Sequence, residues 1–348
     1  MGRNFILQVG IKMNSWCDFL KKHVLNWLLE EENASVRYFT LIQLLDETSD
    51  SPVVIQAKKN IMLRNPVVKI LSQQNEDGFW GEKDRFYTDK YKGTVWQLII
   101  LAELGVDAQD KRIKKACEYI FDHAQDQKSG GFSIWPNLRE GGGRHSGVIP
   151  CLNGNMVFSL IRLGYLEDKR LQRAIDWITR YQRYDDGIAK NPDGWPYDKM
   201  ESCWGRHACH MGVVKSLKAL SEIPCDRRDE DIDRTIQASK DYLLKHHIYK
   251  RSHQLEKVSR PGWLRFGFPL MYQTDIVEIM LIMLKIGVKD ERMSEAVNEI
   301  ISRQDDRGKW ILKSTFNGRF ITNIEKKGKS SKWITLRALN VLKNWFEL

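Results

Sequence analysis

The chain of 348 residues is short of long apolar runs, paired cysteine motifs and strand signals. No stretch approaches the ~18 apolar residues that a membrane-spanning helix needs, and residues 5–9 are too short and interrupted for a signal-peptide core. Six cysteines are present without a C-x-x-C pair, a usage typical of reduced thiols in a reducing compartment. These absences predict a cytoplasmic protein without a transmembrane segment.

Charge is abundant, with 55 basic and 45 acidic residues and a net charge of +10. Such a balance suits an anionic ligand, for example a phosphate or diphosphate, and also nucleic acid. The basic run at 326–332 has no interleaved aromatic residues on which bases could stack. We therefore expect no nucleic-acid partner.

Apolar helical segments recur through the chain at steps of 56 to 66 residues. Their last aliphatic residues are Leu45, Leu104, Leu163, Leu220, Ile286 and Leu342. Between them lie amphipathic segments, about 15–32, 52–73, 111–127, 169–183, 232–247 and 291–303, with apolar residues at i, i+3, i+4 and i+7. A helix that is apolar on most sides must be buried, whereas an amphipathic helix can face water. The pattern predicts an all-α single domain over 1–348, an α/α six-barrel of six helix pairs, with residues 1–14 as an N-terminal extension.

Two amphipathic segments are followed by the pattern Gln-x-x-x-Gly-x-Trp, at 74–80 and 304–310. Gly allows a left-handed helix cap and Gln can bond exposed carbonyls. On a six-fold helix-pair repeat, these motifs resemble the superfamily of squalene/hopene cyclases and protein prenyltransferase β-subunits. The resemblance implies an α/α toroid that handles isoprenoids, a transferase or cyclase acting on an apolar-tailed anionic small molecule. Prenyltransferase β-subunits also work with a partner subunit, which here would be unknown.

The sequence departs from the motifs that are typical of both activities. The Asp-x-Asp-Asp acid motif of class II terpene cyclases is missing. Prenyltransferases bind zinc through an Asp-Gly-Cys turn and a His one helix later. Here Cys151 stands in the turn without the Asp, and His207 and His210 both lie one repeat later, so the choice between them stays open.

Stepping from Cys151 by one repeat reaches Cys209 and His210, and one more reaches Asp275. We expect these four residues to lie at one rim of the barrel, where the inner helices begin, as candidate catalytic residues and zinc ligands. Zinc takes about four N, S or O ligands. A metal-free polar or thiol site, or packing and helix capping alone, are the alternatives.

Further candidates near this rim would bind substrate, and the alternatives for them are a mobile solvated loop, ordinary surface charge and packing in the barrel core. Arg144 and His145 follow a glycine run that favours a flexible anion clamp, and Lys90, Lys92 and Arg206 could neutralise a diphosphate. The remaining substrate-binding candidates, which are mostly aromatic and would line an apolar cavity, are Trp96, Trp204, Arg265, Tyr272 and Trp333.

Three functional hypotheses follow. The first is an isoprenoid-handling enzyme with an apolar cavity and the Cys/His/Asp rim. The second is a non-catalytic toroid that binds an apolar ligand or a partner protein. The third is an α/α-barrel carbohydrate-active enzyme that uses the acids at 185–201, which would need paired carboxylates across a cavity.

Overall fold

The computed structural model describes residues 15–187, 190–205 and 207–347, so the predicted extension at 1–14 and Arg206 lie outside the described residues. Buried inner helices alternate with outer helices, which confirms the all-α class. The inner helices are α2 (Ala34–Gln43), α5 (Thr94–Leu104), α7 (Pro150–Arg162), α10 (His210–Leu220), α12 (Ile276–Lys285) and α14 (Lys332–Glu347). The outer helices are α1 (Lys22–Leu28), α3 (Pro52–Ile61), α4 (Val67–Leu71), α6 (Lys111–Ala124), α8 (Lys169–Tyr181), α11 (Glu230–Lys245) and α13 (Ser294–Ile301). A short helix, α9 (Glu201–Trp204), precedes α10.

The inner helices pack side by side in chain order from α5 through α7, α10 and α12 to α14. Helix α14 returns to pack against α2, and Phe39 of α2 packs against Gly105 at the end of α5. The ring is thereby closed, and the protein is an α/α toroid of six helix pairs. Across the described ranges, no helix is both long and apolar enough to cross a membrane.

The distribution of apolar residues decides which helices lie inside. All 11 residues of α5 are buried, because a helix that is apolar on every side needs protein on every side. Helix α8 instead buries one face, formed by Leu171, Ala174, Ile175, Trp177 and Ile178. The predicted division into buried and amphipathic helices is therefore confirmed for this pair.

The turns after three outer helices share one hydrogen-bond pattern. The side-chain amide of Gln74 donates to the carbonyls of Gly78, in its own turn, and Arg112, at the start of α6, both at 2.9 Å. The equivalent bonds join Gln125 to Gly130 and Arg170, and Gln304 to Gly308 and Phe19. Gly78 has φ +97°, and a Cβ there would lie 2.7 Å from the Lys115 carbonyl oxygen. Each turn thus fastens one outer helix to the next, and Gln304 links the last repeat to the first.

The structure corrects two predicted outer helices. A 3₁₀ turn, Trp16–Phe19, stands where the first was expected to begin, and only α1 follows it. The predicted helix at 52–73 is divided into α3 and α4 near Pro66, because proline has no N–H to continue the ladder. Two small antiparallel strand pairs were not expected, β1 (Lys250–Arg251) with β2 (Gln254–Val258) and β3 (Trp310–Ile311) with β4 (Ser330–Ser331).

Inside the barrel, the inner helices carry charged side chains that the apolar pattern did not predict. The ammonium of Lys215 lies 2.7 Å from the Glu278 carboxylate, and that of Lys218 lies 2.8 Å from the same group. Lys218 also pairs with Glu103, which Arg337 contacts at 2.6 Å. Helices α5, α10, α12 and α14 are therefore joined through one buried ionic network.

Candidate active site at the inner-helix N-terminal rim

The four residues of the predicted metal site all lie at inner-helix starts. Cys151 is the second residue of α7, Cys209 is the N-cap of α10, His210 is its first residue, and Asp275 is the N-cap of α12. Among the described residues, no three His, Cys, Asp or Glu side chains are grouped so that they could hold a metal ion. The four predicted ligands are therefore not assembled as a metal site, and zinc stays a prediction.

The carboxylate of Asp275 accepts hydrogen bonds from the backbone of its own helix and of the preceding loop. One carboxylate oxygen accepts from the N–H of Glu278 and the other from the N–H of Gly267, both at 2.9 Å. Burial raises the pKa of this carboxyl to about 6. With both oxygens taken by backbone donors, Asp275 caps α12 and fastens the preceding loop.

His210 faces an aromatic pocket between α10 and α11. Its ring centroid lies 4.4 Å from that of Trp263 and 5.1 Å from that of His246. Burial holds the pKa of His210 well below its usual value, so the ring is neutral. The backbone of Ile248 approaches the ring, yet neither ring nitrogen makes a hydrogen bond of normal geometry to a described residue.

Three thiols, those of Cys151, Cys203 and Cys209, lie near enough to influence one another electrostatically. Burial, followed by these neighbours, raises the pKa of Cys151, and burial also raises that of Cys203. A helix N-terminus alone would favour a thiolate. Desolvation outweighs that effect here, so Cys151 and Cys203 are protonated thiols at neutral pH.

The predicted aromatic residues do not form a single cavity wall. Trp96 is buried, with its Nε1–H donating to the Tyr87 carbonyl at 2.8 Å. The Lys90 ammonium lies 4.7 Å from the Tyr87 ring centroid and 4.9 Å from that of Tyr272. A lysine therefore occupies the space between these rings.

The other predicted substrate-binding side chains are dispersed. Trp204 is buried beside Trp177, and Arg265 is exposed. Trp333 stacks on Phe268, with ring centroids 4.1 Å apart, and lines a different cavity, described below.

The arrangement with the clearest chemistry surrounds His145. Its Nδ1 lies 2.7 Å from a carboxylate oxygen of Asp126, and since a carboxylate only accepts, Nδ1 carries the proton. The His145 ring is stacked on Trp195, with centroids 4.0 Å apart and an interplanar angle of 9°. The Trp195 indole N–H donates to the His145 carbonyl at 3.0 Å. Ring position and tautomer are both fixed, which leaves Nε2 as the acceptor nitrogen.

Asp126 is itself held in place. It is buried and accepts from the N–H and hydroxyl of Ser129. His145 and Asp126 border a cavity of about 330 Å³ whose other polar lining includes Lys128, Asn137, Glu140, Arg144 and Ser146. The groove therefore combines two cations, Lys128 and Arg144, with two carboxylates, those of Asp126 and Glu140, and the side chain of His145 is partly exposed beside them.

Two of the glycines before Arg144, Gly142 and Gly143, are closely packed. A Cβ on Gly143 would lie 2.2 Å from the Ala124 carbonyl oxygen at the end of α6. Bridges between Pro136 and Gly143 and between Ser133 and Val148 hold the segment as a hairpin. This hairpin brings His145 to Asp126 across 19 positions, a pairing that the sequence interpretation missed.

The fold and the site define the class, an α/α toroid with a histidine–aspartate pair in the loop between outer helix α6 and inner helix α7. No protein-family model matches the sequence, and neither does any curated protein.

Some solved structures are similar to the protein, at low sequence identity. They include a type II terpene cyclase, MstE from Scytonema, with 15% identity, a TM-score of 0.43, and coverage of 90% of this chain and 87% of that one. A glycosyl hydrolase of family 88 from Bacteroides vulgatus has 11% identity, a TM-score of 0.48, and coverage of 96% and 99%. A possible GH105 member from Salmonella enterica serovar Paratyphi A has 12% identity, a TM-score of 0.46, and coverage of 91% and 82%. At these values the likenesses carry no argument about activity.

Proposed function

We propose that the protein is an enzyme in which His145, oriented by Asp126, transfers a proton to or from a small polar anion bound in the adjoining groove. The observation that carries this proposal is the 2.7 Å contact between Nδ1 and the carboxylate. A carboxylate on one ring nitrogen fixes the tautomer and stabilises the imidazolium that forms when the other nitrogen takes a proton. Hydrolysis and elimination are the reaction classes that need such a step.

The groove supports a polar substrate rather than a hydrocarbon. Its lining includes Lys128 and Arg144, which would pair with an anionic group of the substrate. Asn137 and Ser146, with the carboxylates of Asp126 and Glu140, would bond its hydroxyl groups. An anionic sugar combines these features.

A carbohydrate enzyme with paired carboxylates has less support. In the loop at 185–201, Asp185 pairs with Arg183, Asp186 with Lys245, and Asp198 with Lys199. These acids are engaged with cations, so a histidine is the better candidate for the base.

An isoprenoid substrate is the second candidate, favoured by the rings of Tyr87, Trp96 and Tyr272 around the Lys90 ammonium. A diphosphate would pair with Lys90 while an apolar chain lies against the rings. This arrangement predicts binding at the rim without a role for His145.

The test is a turnover screen of the purified protein against uronic acids, sugar phosphates and prenyl diphosphates, read by mass spectrometry. We expect turnover of an anionic sugar, and about 10²- to 10⁴-fold less in His145→Gln, the range for loss of a general acid or base. His253→Gln, which replaces an exposed histidine of the β1–β2 hairpin, is the matched control. Turnover restricted to prenyl diphosphates, or unchanged in His145→Gln, would refute the proposal.

A further inference from the structure

A second cavity, larger than the groove at His145, lies in the barrel interior and reaches the C-terminal ends of the inner helices. It has a volume of about 460 Å³, within the range of small-molecule sites. Its lining comes from the C-terminal parts of α2, α5, α7 and α10, from α12 between Glu278 and Lys285, and from α14 between Trp333 and Glu347. Of the predicted site residues that the structure describes, Trp333 alone lines it.

The cavity floor is the buried ionic network. Glu103 and Glu278 are both bonded to ammonium groups, and Arg337 binds Glu103 at 2.6 Å. These carboxylates and cations satisfy one another, which leaves none of them as a free proton donor. Two other lysines that line the cavity also form ion pairs, Lys285 with Glu222 and Lys343 with Asp46.

Arg162, at the end of α7, differs from these cations. Its guanidinium lies over the rings of Phe39 and Phe158, 5.3 and 5.5 Å from their centroids. Among residues 15–187, 190–205 and 207–347, no carboxylate comes within ion-pair distance of it. Lys285 and Lys58 lie near enough that Arg162 lowers the pKa of each, after the larger effect of burial. Arg162 also lowers the pKa of Glu103, yet among the described residues it is the lining cation that forms no ion pair.

The shape and surroundings limit the anion that would neutralise Arg162. A guanidinium binds carboxylate or phosphate through a planar fork. The C-terminal ends of the inner helices, where partial negative charge collects, meet at this cavity and disfavour a dianion. Apolar side chains, among them Ile42, Leu281 and Leu336, complete the walls.

We propose that this cavity binds a small organic monocarboxylate, whose carboxylate pairs with Arg162 and whose apolar body packs between Phe39, Phe158 and Trp333. The site is separate from the groove at His145 and does not depend on the function proposed for that groove. It needs no chemical step, since the floor offers only ion-paired groups.

The test is titration calorimetry of the full chain with 3-phenylpropionate, its neutral amide and inorganic phosphate. We expect saturable binding of the carboxylate only, weakened about 10- to 100-fold by Arg162→Gln, because a hydrogen-bonded charge is removed. Arg162→Lys should recover part of the affinity. Arg234→Gln is the matched control, since Arg234 lies on outer helix α11 with 71% of its side chain exposed.

A second variant keeps the proposal falsifiable if Arg162→Gln does not fold. Gln43→Glu adds a negative charge to the cavity lining without removing Arg162, and should weaken carboxylate binding while His145-dependent turnover is unchanged. Absence of carboxylate binding in the wild type, equal affinity in Gln43→Glu or Arg162→Gln, or phosphate binding as tight as that of the carboxylate would each overturn it.

Discussion

Asp275 and Glu278 lie within one turn of the same inner helix, both fully buried, and their pKa values move in opposite directions. Burial raises the pKa of Asp275 to about 6, because the two backbone N–H groups that lower it offset only part of the loss of solvation. Burial acts on Glu278 as well, but the ammonium groups of Lys215 and Lys218 hold its pKa at about 2. The comparison shows that partners, and not depth, set the charge of a buried group.

A related contrast separates the N-terminal rim from the barrel interior. At the rim, burial keeps the thiol of Cys151 and the ring of His210 neutral. In the interior, from Glu278 inward, buried groups are ionised and paired around a cavity. We therefore expect chemistry at the rim to depend on loop residues such as His145, and ligand binding in the interior cavity to depend on Arg162.

The largest expected effect on stability comes from Glu278→Gln. It leaves the buried ammonium of Lys215 without a carboxylate, which should lower the free energy of unfolding by about 3–5 kcal/mol. Asp275→Asn removes one acceptor for a backbone N–H and should cost only about 1–3 kcal/mol. Equilibrium denaturation in urea measures both, and an equal or reversed order would break the comparison.

The two carboxyls also predict opposite dependences of stability on pH. The folded-state pKa of Glu278 is lowered, so its contribution is present above the ordinary value of 4.5 and is lost as pH falls towards about 2. The folded-state pKa of Asp275 is raised from 3.8, so its contribution is full below that value and is lost as pH rises through about 6.

Urea unfolding across pH 3–8 separates these contributions. Relative to the wild type, Asp275→Asn should remove the loss of stability between pH 4 and 6. Glu278→Gln should reduce the loss of stability that occurs as the pH falls below 4.5. Unchanged curves for both variants would show that neither pKa is shifted as described.

A smaller effect concerns the thiols. Cys17 and Cys225 are exposed, so they should react with a disulfide reagent before Cys151 and Cys203, whose pKa values burial raises. Mass spectrometry of partly labelled native protein identifies the order, with labelling in urea as the control. Preferential labelling of Cys151 would restore the reactive-thiol interpretation of the rim.

The fold could be predicted because the apolar helical segments that recur along the sequence correspond to the ring of inner helices. A helix such as α5, apolar on all sides, has no stable position except inside a ring of others. The boundaries that failed have local causes, such as Pro66, which divides α3 from α4. The repeat also placed Cys151, Cys209 and Asp275 correctly at the starts of inner helices.

The site was less predictable, because spacing does not give the direction of a side chain. Asp275 turns back to its own helix, and His210 turns towards Trp263. The Asp126–His145 pair depends on a hairpin whose glycines pack against α6, and no periodic pattern signals that contact. The charges of Lys215 and Glu278 within apolar helices were a usable signal of the buried network.

Turnover by His145→Gln, compared with His253→Gln at equal folded concentration, tests the central claim most directly. If the proton-transfer site is at His145, the first variant retains between about one hundredth and one ten-thousandth of wild-type turnover of an anionic sugar, and the second retains all of it. Equal turnover by the two variants would contradict the account.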